Sequence, residues 1–299
     1  MSVLAQKTQQ VYSNSNKRLA AVLKVEALTP ELLADSKKII ELVESITKKD
    51  GKPLGHDGRR GYYSALMTLL PKQGELWQIY RAKVQEHSKI TGEIAKKQEL
   101  TEREEGKWLS WEQILAVRDK LKPETPDDFF QYQDWIILCL YTMVPPLRVD
   151  YSPMAVVEEV PKDTKGNFLV LSPTKNCFVL QEYKTAGTYG RVEFDIPDEL
   201  LDVLYEWVVY NPSGWLLLKG DGEPYTDYNL SQRVGRIMEK ATRGADGSAG
   251  KICGVTMMRH AYKTWLHRGE KPTLVAEAEA KKMLHSASAA QSYRRIDKE

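Results

Sequence analysis

Residues 127–143 form one strongly apolar run, closed by Pro145-Pro146. A run of that length with few charges predicts a helix buried on all sides. It falls short of the roughly 20 residues that a membrane helix needs. Two consecutive prolines cannot continue a helix, so the chain must turn there. Four β-like runs follow, over residues 154–160, 167–171, 177–183 and 191–196, the last two joined by a Gly-containing turn at 185–190. Helical patterns resume at 198–210, at Thr226 to about Ala241, and over 255–268, 273–284 and 288–296. Helices, a small antiparallel sheet, then helices again predict a mainly α domain of the α+β class.

The region before this block also reads as helical. Thr29 caps a start with Pro30 at the first helical position, and Leu32, Leu33, Ile39, Ile40, Leu42, Val43 and Ile46 supply an apolar face. Residues 48–61 read as a Gly-rich basic loop. Apolar stretches at 62–70 and 76–84 predict two further helices. The polar stretch 89–107, KITGEIAKKQELTEREEGK, reads as a solvated helix or linker. The expected division is a helical unit with its linker over 1–105 and a second domain over 106–299. In that second domain Ser110 with Gln113 is a capping-box signal for a helix ending near Leu121.

The 299 residues suffice for one large or two ordinary domains. The N-terminus MSVLAQKTQQ lacks a signal-peptide core, and Cys139, Cys177 and Cys253 show neither metal spacing nor a disulfide framework. An intracellular protein with ordinary buried thiols is the expectation. The five histidines form no metal-ligand motif, so no protein-held metal or other cofactor is expected. Net charge is +2, but its distribution is uneven. The first 90 residues carry a surplus of about six positive charges, many of them in Lys48, Lys49, Lys52, Arg59 and Arg60. These five are candidate phosphate contacts. Tyr62 and Tyr63 beside them could pack on sugar or fill a core.

Four segments carry chemistry by their order. They are Pro146-Leu147-Arg148-Val149-Asp150-Tyr151, then Tyr183-Lys184-Thr185 at the predicted hairpin tip, then Met258-Arg259-His260-Ala261-Tyr262-Lys263-Thr264 on a helix, then Met283-Leu284-His285-Ser286 with Tyr293 beyond it. Singly each is weak. Together, the order Arg, Lys, Arg-His-x-x-x-Thr, His-Ser, Tyr resembles the catalytic domain of the tyrosine recombinases, the lambda-integrase-like family, over roughly residues 108–299. The Pro-Pro-Leu-Arg-Val-Asp-Tyr form of the first segment also looks like integrases of large DNA viruses and related mobile elements.

The resemblance implies a DNA strand-breaking and rejoining enzyme with Tyr293 as nucleophile. Arg148 and Arg259 would hold the non-bridging oxygens of the phosphate and stabilise the charge of the transition state. Arginine suits the task because it stays charged and donates from a planar fork. Lys184 would protonate the leaving 5′-oxygen. His285 would hydrogen-bond the phosphate, and His260 would support the site or assist proton transfer. The 3′-phosphotyrosine conserves the bond energy, so ATP is not needed. The first 105 residues would close over double-stranded DNA as a core-binding domain, and a homotetramer on DNA is the family's assembly.

The chain departs from the family pattern in three places. Thr256 stands three residues before Arg259, where a histidine or lysine is common. Tyr151 stands three after Arg148 in place of glutamate, with Asp150 as the substitute partner for Arg148. His285 and Tyr293 are one residue closer than usual, which on a helix rotates the side chain by about 100°. Tyr262 is therefore a fallback nucleophile. A type IB topoisomerase, which reseals the same strand, and an inactive DNA-binding descendant remain open at this stage.

Overall fold

The computed structural model describes residues 6–268, 283 and 295. The chain divides into two compact units, Met1–Lys97 and Gln98–Glu299. The expected helices at 273–284 and 288–296 lie outside the described residues, apart from Met283 and Arg295.

The first unit is helical among its described residues: α1 (Gln6–Leu23), α2 (Pro30–Leu33), α3 (Ser36–Ser45), α4 (His56–Met67) and α5 (Glu75–Lys97). Thr29 caps α2 as its sequence predicts, its side chain accepting from the Leu32 amide at 3.3 Å. The pattern continuing to Ile46 nevertheless breaks after Leu33. Asp35 accepts from the Lys38 amide at 3.2 Å and starts α3 afresh, the local competition that short acidic side chains offer a helix. Leu19, Leu33, Ile39, Val43, Tyr63, Leu66, Leu70 and Tyr80 form one core. Only the first part of the expected loop 48–61 is a loop. Lys48 N–H donates to Lys52 O at 2.8 Å, and Gly51 N–H donates to Lys48 O at 3.0 Å. Gly51 has φ +75°, which favours glycine, and it closes a tight lysine-tipped hairpin. From His56 onward the chain is already α4, glycines included, because packing against α1 and α5 outweighs their low propensity.

The second unit contains α6 (Glu102–Glu105), α7 (Trp111–Leu121), α8 (Phe129–Thr142), β1 (Met154–Val157), β2 (Asn167–Leu171), β3 (Asn176–Leu180), α9 (Ala186–Tyr189), β4 (Val192–Asp195), α10 (Asp198–Tyr210), α11 (Asp227–Ala241) and α12 (Val255–Arg268). The class is the mainly α, small-sheet one that the pattern predicts. In detail the sheet is mixed. Its order is β1-β2-β3-β4, with β2, β3 and β4 antiparallel but β1 parallel to β2. Residues 158–166 carry the chain back to the start of β1, so Met154 faces Asn167 in register.

α8 is the central helix. Asp128 caps it through the Phe130 and Gln131 amides, and Ile136 to Tyr141 are all 0% exposed. Each such aliphatic side chain contributes about 1.5–3 kcal/mol on burial. The polar side chain at its heart, Gln133, pairs with the backbone of Leu218: its Nε2 donates to Leu218 O at 2.9 Å and its Oε1 accepts from Leu218 N at 2.7 Å. α7, α10 and α11 pack on α8, and α12 packs on α7 and α11. Strand alternation sends Leu169, Leu171, Phe178 and Leu180 into this core. Phe168, Val170, Cys177 and Val179 form a smaller cluster on the opposite face. All three cysteines are free and buried, and burial pushes Cys139 and Cys253 up to about 12.

Candidate active site

The double proline ends α8 and throws the chain into a turn at 146–151 that carries Arg148. Three groups fix this turn. Tyr141 on α8 donates its hydroxyl to Arg148 O at 2.7 Å. Tyr151 returns a hydroxyl to Leu140 O at 2.9 Å. Asp150 accepts from the Arg148 amide at 3.1 Å. Asp150 is 7% exposed. Burial raises its pKa, while the Arg148 amide and the charges of Arg148 and Arg259 oppose the rise without cancelling it. Its described bond is thus to the backbone of Arg148, holding the turn from which that side chain projects.

Arg259 rises from α12 into the same place. It is 1% exposed. Its Nη1 donates to Pro146 O in the turn, and its Nη2 donates to Met283 O at 3.4 Å. Two of the five guanidinium N–H groups therefore fix the plane of the fork. His260, one residue on, is 7% exposed. Arg295 Nη2 approaches His260 Nε2 at 3.4 Å and donates to Glu104 Oε1 at 2.8 Å. Thr264 Oγ1 accepts from the Arg295 amide at 2.9 Å.

Lys184 is exposed on the β3–β4 connection, where the expected turn contains the single helical turn α9. One residue ties that connection to the Arg148 turn. Asn167, 5% exposed at the start of β2, donates to Asp150 O and Glu182 O, both at 2.9 Å. Its Oδ1 accepts from the Gln181 and Glu182 amides at 3.1 and 3.0 Å. Both donors and both lone pairs of the amide are used.

In the first unit, Arg59 and Arg60 are engaged by acidic neighbours. Arg59 Nε stands 3.2 Å from Glu44 Oε2 and its Nη2 donates to Glu44 O at 2.9 Å, while Arg60 pairs with Asp57 at 3.0 Å. Lys48, Lys49 and Lys52 are exposed on the hairpin. Tyr63 is core, donating its hydroxyl to Glu44 at 2.8 Å. A further exposed stripe lies on α11, its two basic residues within the Lys- and Arg-rich stretch that begins at Arg233. Tyr228, Gln232, Arg236 and Lys240 recur every four residues and all face solvent, Tyr228 at 72% exposure. The Thr226 cap and the amphipathic period were the available signal.

No family model matches the chain, and no curated protein matches it in sequence. Solved structures do match it. The Tn1549 transposon integrase in complex with circular intermediate DNA superposes with a TM-score of 0.54 at 15% identity, covering 97% of this chain and 96% of that one. XerH site-specific recombinase bound to a palindromic difH substrate, in a post-cleavage complex, gives a TM-score of 0.50 at 15% identity over 87% of this chain and 68% of that one. The fold is that of the tyrosine recombinases.

Within the tyrosine recombinase fold, the structure gathers Arg148, Asp150, Arg259, His260 and Thr264 around the 146–151 turn and α12. His285, Ser286 and Tyr293 lie outside the described residues. Thr256 is exposed at the start of α12. Tyr151 is 0% exposed and forms core between Tyr141 and Phe178. Tyr262, the fallback nucleophile, packs edge-on against Trp111 at 5.0 Å between α7 and α12. Glu104 and Asn167 belong to none of the four chemistry-bearing segments. A capping-box pattern marks Glu104, and nothing local marks Asn167. Among the described residues no helix is long and apolar enough to cross a membrane, and no cluster of three or more His, Cys, Asp or Glu side chains could hold a metal ion.

Proposed function

We propose that this protein is a site-specific DNA recombinase or integrase that cleaves and rejoins strands through a 3′-phosphotyrosine at Tyr293. One observation carries the reading. Met283, two residues before His285, and Arg295, two residues after Tyr293, both dock on the Arg-His-x-x-x-Thr segment of α12. The two ends of the stretch that holds His285 and Tyr293 are thus anchored on the helix that carries Arg259 and His260, which supports assigning those two residues to the same site.

In this reading Arg148 and Arg259 bind the non-bridging oxygens of the scissile phosphate. Tyr293 loses its hydroxyl proton to solvent and attacks phosphorus, the bond to the 5′-oxygen breaks, and Lys184 gives that oxygen its proton. His285 and His260 complete the polar surround. The charge that stabilises the transition state is arginine charge held in a low-dielectric site. Double-stranded DNA is the partner, met by the lysine hairpin of the first unit and the exposed stripe of α11 on the second. The protein works as a DNA-associated intracellular homo-oligomer, a tetramer when strands change partners, and belongs to a mobile or viral element. The first unit acts as the core-binding domain, and the second unit, which takes in the polar stretch from Gln98, as the catalytic domain.

A second reading, DNA binding without cleavage, is favoured by Thr256 at the position of a usual base and by the nearly complete burial of Arg259. One experiment separates the two. Wild type and Tyr293→Phe are incubated with a pool of nicked genomic fragments, denatured and run on a gel. A protease-sensitive DNA adduct with wild type alone is the expected result. An adduct that survives in the variant moves the nucleophile elsewhere. Tight DNA binding with no adduct in either supports the inactive reading. Strand exchange between two labelled duplexes distinguishes a recombinase from a topoisomerase.

A further inference from the structure

Glu104 holds two structural duties at once. Its backbone amide donates to Thr101 Oγ1 at 3.3 Å, and its Oε2 accepts from the Thr101 amide at 3.0 Å, which completes the capping box of α6. The other oxygen, Oε1, points away from the cap and takes Arg295 Nη2 at 2.8 Å. The same oxygen stands 3.9 Å from His260 Nε2. The side chains of Glu104, His260 and Arg295 are 20%, 9% and 13% exposed, so the group is shielded and weakly screened by salt. Burial alone would raise the Glu104 carboxyl. The bond and charge of Arg295 and the Thr101 amide outweigh it and hold the pKa below 4.5.

Arginine only donates, so the Arg295 contact at 3.4 Å suits a His260 ring that carries its proton on Nδ1 and leaves Nε2 as acceptor. The Arg295 amide is separately anchored on Thr264 Oγ1, one helical turn along α12. Arg295, two residues beyond Tyr293, is thereby fastened to α12 at its backbone by Thr264 and held at its side chain by Glu104 beside His260.

We propose that Glu104 is a positioning residue for strand cleavage: it clasps Arg295, and through Arg295 it sets the His260 tautomer and the placement of the chain that carries Tyr293. This rests on the phosphotyrosine reading above. The strength of the clasp tunes how readily that segment is presented to phosphate.

The test uses full-length wild type, Glu104→Gln, Arg295→Gln and the double variant, with Tyr293→Phe as control. Glutamine serves equally at this place in a capping box, as Gln113 does for α7, so Glu104→Gln removes charge while keeping α6. Single-turnover adduct formation on saturating nicked duplex is measured beside DNA affinity and hydrogen exchange at the Arg295 amide. Each single variant is expected to slow adduct formation about ten- to a hundredfold, the weight of one charge-assisted hydrogen bond. DNA affinity should stay within about twofold, and the double variant should be no slower than the worse single one, as for groups acting as a unit. Exchange at the Arg295 amide should quicken in Glu104→Gln. Wild-type cleavage rates in Glu104→Gln, losses that multiply in the double variant, or unchanged exchange would each overturn the proposal. If wild type itself forms no adduct, the phosphotyrosine reading falls, and exchange at Arg295 then decides the clasp by itself.

Discussion

Glu44, at the end of α3, accepts from the Tyr63 hydroxyl at 2.8 Å and faces His87 Nε2 at 2.9 Å and Arg59 Nε at 3.2 Å. His56 Nδ1 extends the chain to His87 Nδ1 at 2.9 Å. Burial raises the Glu44 carboxyl, but the bonds from Tyr63 and His87 and the charges of His87 and Arg59 prevail, and its pKa lies below the ordinary 4.5. A carboxylate with a lowered folded pKa binds its proton more tightly when unfolded. Its stabilisation is therefore complete above 4.5 and is lost as pH falls through the folded value. Glu104 in the second unit has the same sign. Urea denaturation of the full chain should show each unit losing stability below about pH 4.5. Glu44→Gln should flatten that loss for the first unit, and a slope equal to wild type would contradict the assignment. The two units thus each contain an acid-sensitive ion pair built around one glutamate.

Between elements, a single amide connects two separate parts of the candidate site. Asn167 joins the Arg148 turn to the connection that carries Lys184 through four hydrogen bonds. Asn167→Ala leaves two carbonyls and two amides without that partner. The expected cost is about 2–4 kcal/mol in the unfolding free energy of the second unit, read from urea denaturation. Asn167→Asp should be no better, since it keeps the acceptor but sets a carboxylate against two carbonyl oxygens. A change under about 0.5 kcal/mol for Asn167→Ala would show that water replaces the amide at no cost. The same scale explains why the boundary between units falls after Lys97 and not near residue 105. Glu104 binds Arg295, and Leu100 packs on the core of the second unit, so the polar stretch 98–107 belongs with the domain it serves.

For the whole molecule, net charge of +2 makes DNA binding a matter of where charge sits. The lysines of the hairpin are exposed, while Arg59 and Arg60 are engaged within their own unit. Replacing Lys48, Lys49 and Lys52 by alanine should shallow the slope of log affinity against log salt by about 0.9 for each lysine that meets a duplex phosphate. An unchanged slope would place the contact surface elsewhere. Local patterns fixed much of this architecture. Ser110 with Gln113, Asp128, Thr226 and Pro145-Pro146 set where α7, α8 and α11 begin and where α8 ends, because caps and prolines act within a few residues. The order of Arg148, Lys184, Arg259 and His260 was legible for the same reason: each residue type is recognisable in its own short segment. Tertiary structure alone decided the rest. It made β1 parallel to β2, turned residues 56–61 into helix, spent Arg59 on Glu44, and recruited Glu104 and Asn167. Those outcomes depend on partners 13 (Met154 with Asn167) to 191 (Glu104 with Arg295) residues away in the chain, and such contacts leave no trace in the local sequence.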